Sequence, residues 1–305
     1  MRAPDKSTYS TAVAQGYPPQ KHMLRDLMVS MEFQGKGRST VRAPVVPEVC
    51  TDQGAMRVGI LATLGDMVGG GLSIRAVYPD WIATADLSIH TSGRATSGVV
   101  AASGSVIRAG RTTVVVEVDI RQEAATFAEE TTSIGSVMMT FSRLPRREDN
   151  REVEIDEDSR QTVDLAAPGS GLTRPYLDEL GIRVLDEAQG VVGLDMTDYV
   201  RNSVGALQGG TVAILADVAG QHAARSATGK PFATSDLAIH YLLQGRVGPF
   251  RTRAKVLRTT NDTALTRVDV IDSGADDRLI TVVMNTATVD PASPYPPRSP
   301  ADSSS

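Results

Sequence analysis

A chain of 305 residues with 41% apolar and 22% charged side chains can bury two cores of ordinary size, and its composition is that of a soluble globular protein rather than a fibrous, disordered or membrane-embedded one. A formal net charge of -5 with scattered arginines offers no basic stripe to a phosphate backbone, so nucleic acid is not an expected partner. Cys50 is the one cysteine, which excludes an internal disulfide and a cysteine-based metal cluster and fits a reducing, cytoplasmic location.

In chain order, residues 1–22 are polar, contain Pro18 and Pro19, and read as an irregular leader. They lack the apolar core of a secretory signal. No apolar run approaches the ~20 residues that cross a bilayer, so no membrane association is expected. Residues 23–144 read as a first domain: strands at 27–33 and 38–43, a helix over 58–73, then strands at 83–90, 98–108, 112–121 and 133–141. Residues 145–162, PRREDNREVEIDEDSRQT, are densely charged and read as a linker. Residues 163–290 repeat the first pattern, with strands at 182–186 and 191–196, a helix over 209–225, and strands at 233–240, 248–258, 262–272 and 279–289. The Pro/Ser-rich tail 291–305 is expected to be disordered. Val, Ile and Thr enrichment between Gly, Asp and Asn breaks predicts antiparallel strands joined by hairpins. One helix against one such sheet, twice over, makes an α+β chain.

The repeat is visible in the residues themselves. ADLSIH at 85–90 matches SDLAIH at 235–240, and the same offset carries Ala83, Thr84, Gly98, Arg108 and Asp119 onto Ala233, Thr234, Gly248, Arg258 and Asp269. With one residue of slippage, GILATLGDMVG at 59–69 lies over GTVAILADVAG at 210–220, so that Gly59, Asp66 and Gly69 recur as Gly210, Asp217 and Gly220.

The two helices carry the candidate chemistry. GGTVAILADVAGQHAAR from Gly209 to Arg225 places apolar residues around the whole helical circumference, which predicts burial on all sides. Before Arg225 its one formal charge is Asp217, and Asp66 stands equally alone in VGILATLGDMVGGGLS. An isolated carboxylate among hydrocarbon side chains is costly. It can be a structural device bonded to backbone amides or an arginine. It can also be a base: desolvation raises its pKa and suits it to activate water or attack a carbonyl. The glycines Gly209 and Gly210 would then let a substrate reach the free N–H groups of the first helical turn, where an oxyanion is stabilised.

These residues resemble the PaaI-type hotdog acyl-CoA thioesterases, in which a pattern like N-x-x-G-x-x-H-G-G precedes the central helix and an acid sits seven positions after the second glycine. Here NSVGALQGGTVAILAD runs from Asn202 to Asp217 with that spacing, and TSDLAIHYLLQGRVGPF at 234–250 is similar to the family's following segment. The resemblance implies two tandem hotdog domains, each an antiparallel sheet wrapped around a central helix, and the hydrolysis of acyl-CoA thioesters. It implies that Asp217 acts as base or nucleophile, that the Gly209 amide binds the thioester carbonyl oxygen, that Asn202 orients carbonyl or water, and that Thr234 faces the reacting group. Gln208 stands where the family has His and can donate a hydrogen bond without titrating. In the first unit Asp66 and Thr84 match, while Thr51, Arg57 and Val58 replace the Asn, His and first Gly.

Family sites lie between paired units, so crossing the halves yields one complete set, Asp66 and Thr84 with Asn202, Gln208 and Gly209. The opposite set, Asp217 and Thr234 facing Thr51, Arg57 and Val58, is expected to be weak or reassigned. CoA would be part of the substrate, with no retained cofactor and no metal, and the fused chain is open to homodimerisation. Arg108, Arg246 and Arg258 fall at strand ends or in hairpins and are the candidates for CoA phosphates. His90 and His240 share strand faces with Asp86 and Asp236 and read as paired or surface residues. His22 and His222 show no zinc pattern, and Cys50 lacks the context of a nucleophile. Two other readings remain beside hydrolysis: a hotdog acyl-CoA hydratase, and a non-catalytic acyl-CoA sensor.

Overall fold

The computed structural model describes residues 17–35, 37–123, 131–148 and 160–289. The expected tail, most of the leader and most of the charged linker lie outside the described residues. A short helix α1 (Met23–Asp26) leads into β1 (Ser30–Phe33) and β2 (Arg38–Pro44). The long helix α2 (Val58–Val77) follows, then β3 (Trp81–Thr91), β4 (Val99–Ala109), β5 (Thr113–Glu123) and β6 (Thr132–Leu144). The second half opens with β7 (Gln161–Asp164), α3 (Tyr176–Leu180), β8 (Arg183–Asp186) and β9 (Val191–Leu194). It continues with the long helix α4 (Gly209–Thr228), β10 (Phe232–Tyr241), β11 (Phe250–Thr259), β12 (Thr263–Asp272) and β13 (Arg278–Val289).

All thirteen strands join one antiparallel sheet in the order β7-β1-β2-β4-β5-β6-β3-β10-β13-β12-β11-β9-β8. The order within each half is the same, and the halves meet where β3 pairs with β10. Each half wraps its sheet around its long helix, which is the hotdog arrangement. The strand β7, which straddles the boundary drawn from sequence at residue 162 between linker and second domain, pairs with β1 and extends the first half's edge.

The helices explain why the sheet curls. Every residue from Gly210 to Gln221 is buried, so α4 needs protein on all sides, as its unbroken apolar circumference requires. It ends where Gly229 adopts φ 68° and its N–H reaches the Arg225 carbonyl. Helix α2 corrects one expectation, because it alone among the described helices has the length and hydropathy of a bilayer span. It is packed inside the sheet, with Ile60, Leu64, Val68 and Leu72 almost fully buried in the core.

The first turn of each helix packs against the second turn of the other, and glycine is what permits it. A Cβ on Gly59 would lie 2.7 Å from the Ile214 Cα, and one on Gly210 would lie 2.4 Å from the Thr63 side chain. This contact fixes each helix N-terminus beside the middle of its partner, where the aspartates sit.

Candidate active site

Each unit presents its helix N-terminus to the other unit's aspartate, and the two junctions differ. At the N-terminus of α2 the residue before the helix is Arg57, which gives no side-chain cap. The Gly59 N–H donates instead to Asp217 Oδ2 across the interface, at 3.1 Å. Asp217 is 2% exposed, and its carboxyl oxygen satisfies an orphan helix donor. Arg57 turns inward and its Nη1 donates to Gln221 Oε1 at 3.1 Å.

At the N-terminus of α4 the corresponding donor is satisfied locally, because the Gly210 N–H is capped by the Gln208 side-chain oxygen. Asp66 is thereby spared the role that Asp217 plays. Its Oδ1 accepts from the Thr84 hydroxyl at 2.9 Å, and its Oδ2 has no partner among the described residues. That oxygen packs against Gly209, lying 3.0 Å from where a Cβ there would stand. The Gly209 N–H likewise finds no acceptor among the described residues. Burial raises the Asp66 carboxyl to about 6, partly offset by the Thr84 hydrogen bond.

Thr84 reaches Asp66 from a β-bulge, where the β3–β6 register shifts between Thr84 and Asp86. The same bulge follows Thr234 in β10. There, however, Asn285 Nδ2 donates to Thr234 Oγ1 at 3.0 Å, so the second threonine serves a buried amide. The register that pairs Asn285 with Leu237 pairs Met139 with Leu87; the first unit thus has an apolar side chain at this place, and its threonine bonds the aspartate.

A cavity of about 950 Å³ opens at the Asp66 junction and is bordered by Asp66, Thr84, Asn202, Gln208 and Gly209. The crossed set is thus brought together from both halves. Asn202 Oδ1 accepts from the Val204 and Ala206 N–H groups at 3.1 and 2.9 Å, which fixes the amide orientation. Its Nδ2, and the Nε2 of Gln208, have no protein acceptor among the described residues. Two amide side chains and the residue carrying a helix N-terminal N–H thus border the same cavity as the free oxygen of one carboxylate.

Thr51, Arg57, Val58, Asp217 and Thr234 are all absent from the cavity wall. The sequence reading of Gly210 as room for a substrate is also corrected, since the Thr63 side chain fills that space; Gly209 alone faces the cavity. Arg108 and Arg258 are exposed on β4 and β11 and do not border it. Arg246 does not border it either, but its Nη1 donates at 2.8 Å to the carbonyl of Val204, which does. The Cys50 thiol donates to the Val46 carbonyl at 3.3 Å, and burial pushes its pKa up. Among the described residues no group of three or more His, Cys, Asp or Glu could hold a metal ion.

Sequence reasoning missed Tyr241. Its hydroxyl donates to the Gly209 carbonyl at 3.0 Å, and burial together with the nearby Asp66 charge raises its pKa well above the ordinary tyrosine value. The two-residue strand period places it on the face of Leu237 and Ile239, which is the signal that could have found it. His22 was also passed over: it is fully buried, and its ring bridges the Leu24 N–H (3.2 Å) and the Arg201 carbonyl (2.8 Å), bracing the segment that carries Asn202.

Residues 204–277 match the family described as the thioesterase superfamily. A protein of Halobacterium salinarum named "putative esterase" is 31% identical over 132 residues, covering 41% of this chain and 86% of that protein. Among solved structures, a "putative thioesterase II" from Thermobifida fusca aligns with a TM-score of 0.57 at 16% identity, over 89% of this chain and 98% of its own. An "oleoyl thioesterase (putative)" from Lactobacillus plantarum aligns with a TM-score of 0.56 at 11% identity, over 83% of this chain and 97% of its own. At those identities the two structures speak to the fold, a pair of hotdog domains. The family match within the second unit and the halobacterial relative, covered over most of its length, place this chain in the thioesterase superfamily.

Proposed function

We propose that this chain hydrolyses acyl-CoA thioesters at one site, in the manner of the PaaI-type enzymes, with Asp66 as its acid–base group. The observation that carries the reading is the free Asp66 Oδ2 packed against Gly209, whose own N–H is unpaired among the described residues. A thioester carbonyl accepting from that N–H would lie beside the carboxylate. Asp66 takes a proton from water as the oxygen adds to the carbonyl carbon, and the Gly209 N–H holds the developing oxyanion with help from the helix dipole. Collapse of the tetrahedral intermediate breaks the C–S bond, and the proton on Asp66 returns to the departing thiolate. Direct attack by Asp66, giving a mixed anhydride that water then cleaves, uses the same atoms. Asn202 Nδ2 and Gln208 Nε2 are suited to orient the water or the carbonyl. Of Arg108, Arg246 and Arg258, Arg246 is the one tied to the cavity wall, through the Val204 carbonyl, and is the one of the three suited to meet a phosphate of the CoA.

Thiol release from a panel of acyl-CoAs tests the reaction class. Stoichiometric free CoA is the predicted result. A change in enoyl absorbance without thiol release would assign a hydratase, and saturable binding with no turnover would assign a sensor.

A further inference from the structure

The cavity continues past Asp66 along helix α2. Asp66, Gly70 and Ile74 recur at every fourth position on one helical face, and all three border the cavity. This lobe therefore follows the helix for roughly 12 Å beyond the carboxylate, at the α-helical rise per residue. Its other walls are mostly apolar, Met31 and Phe33 from β1, Met67 from the helix and Trp81 from β3, with the Arg75 guanidinium lying over the Phe33 ring, 4.3 Å from its centroid. A Cβ on Gly70 would meet nothing within 4 Å, so the missing side chain is part of the empty volume.

The sister unit shows what happens when that position carries a side chain. Its counterpart of Gly70 is Gln221, which is 2% exposed. Gln221 Nε2 donates to the Phe232 carbonyl at 3.2 Å while Oε1 accepts from Arg57. Neither Gln221 nor Asp217 borders the cavity. Glycine at one helical position accompanies the open site, and glutamine at the matching position accompanies the filled one.

We propose that Gly70 is a specificity-determining residue, and that the lobe it opens takes an extended hydrocarbon chain, so that the substrates are thioesters of medium- to long-chain acids rather than acetyl-sized ones. The assignment of acyl chain rather than carrier arm follows from the walls. The amides of a pantetheine arm would be stranded among Met31, Phe33, Met67 and Trp81, whereas a hydrocarbon chain gains from leaving water there. This inference rests on thioester hydrolysis at Asp66 and names its acyl class.

The test compares the wild type with Gly70→Gln and Gly70→Ala by two readouts: thiol release from acetyl-, butyryl-, octanoyl- and decanoyl-CoA, and calorimetric binding of the non-hydrolysable thioether S-decyl-CoA. Wild-type kcat/KM should rise about tenfold or more from acetyl to decanoyl, and Gly70→Gln should lower the decanoyl-to-acetyl ratio and the thioether affinity by about tenfold or more. Gly70→Ala, whose methyl enters open space, should keep the thermal midpoint and give an intermediate ratio. A flat wild-type profile overturns the proposal, as does a Gly70→Gln ratio equal to the wild type's. If the wild type releases no thiol yet binds the thioether, and Gly70→Gln loses that binding, hydrolysis is refuted and the lobe stands. Failure of the thioether to bind the wild type refutes the lobe itself.

Discussion

Asp66 is held near neutrality by competition between two effects that different atoms control. Burial raises the carboxyl to about 6, and the Thr84 hydroxyl, bonded to Oδ1, pulls in the other direction. A base must be ionised to accept a proton, so kcat/KM should climb as pH rises through about 6 and level off above it. Thr84→Val removes the hydroxyl and keeps the branched shape. The rising limb of its profile should move to higher pH, with kcat reduced; a limb that stays in place would show that Asp66 is not the group being titrated. The same residue-scale contrast explains the other aspartate. Asp217 accepts from the Gly59 N–H at 3.1 Å, whereas the Gly210 N–H is met by Gln208. The Gln208 cap on the Gly210 N–H is therefore coupled to the freedom of Asp66, a link that residue spacing alone does not reveal.

At the scale of elements, the crossing of α2 and α4 sets the distance between Asp66 and Gly209. The sequence made the helices legible through their apolar circumference, and the repeat made the matching aspartates legible. What it concealed was which glycine faces what. Gly209 borders the cavity while Gly210, its neighbour, is pressed against Thr63, and a one-residue rotation of a helix cannot be read from composition. The two crossing glycines should respond differently to substitution. Gly210→Ala should cost about 1–3 kcal/mol in chemical denaturation, and Thr63→Ala should recover most of it by vacating the space. Gly59→Ala meets Ile214 backbone and should not be rescued by any side-chain truncation. Equal behaviour of the two variants would mean that the helices do not cross as described. The strand β7 was illegible for a related reason: it follows a charged run, and it is a strand through pairing with β1, a partner distant in sequence.

At the scale of the molecule, the two hotdog units form one body. Residues of both belong to a single core cluster running from Met23 to Val283. Across the β3–β10 seam His90 pairs with Asp236 at 2.9 Å and His240 with Asp86 at 2.6 Å. These pairs were anticipated on one strand face; the structure crosses them between the units. They are substantially exposed, with His90 side-chain exposure at 65%, so they register the seam more than they stabilise it. A second inter-unit clasp, Arg225 on both oxygens of Asp52, lies beside the filled junction. Duplication thus supplied two equivalent junctions, and divergence closed one with Arg57, Gln221 and Asn285 while opening the other at Gly70. The crossed set of Asp66, Thr84, Asn202, Gln208 and Gly209 was legible because the two halves could be compared residue by residue. Tyr241 and Gly70 were not, because their counterparts Thr91 and Gln221 share no chemistry with them.

The central claim is that only the Asp66 junction works, and paired kinetics of Asp66→Asn and Asp217→Asn test it most directly. Asp66→Asn should lower kcat by about 10³-fold, while Asp217→Asn, which can still accept from the Gly59 N–H, should stay within about threefold of the wild type. An active Asp66→Asn beside an inactive Asp217→Asn would contradict the account.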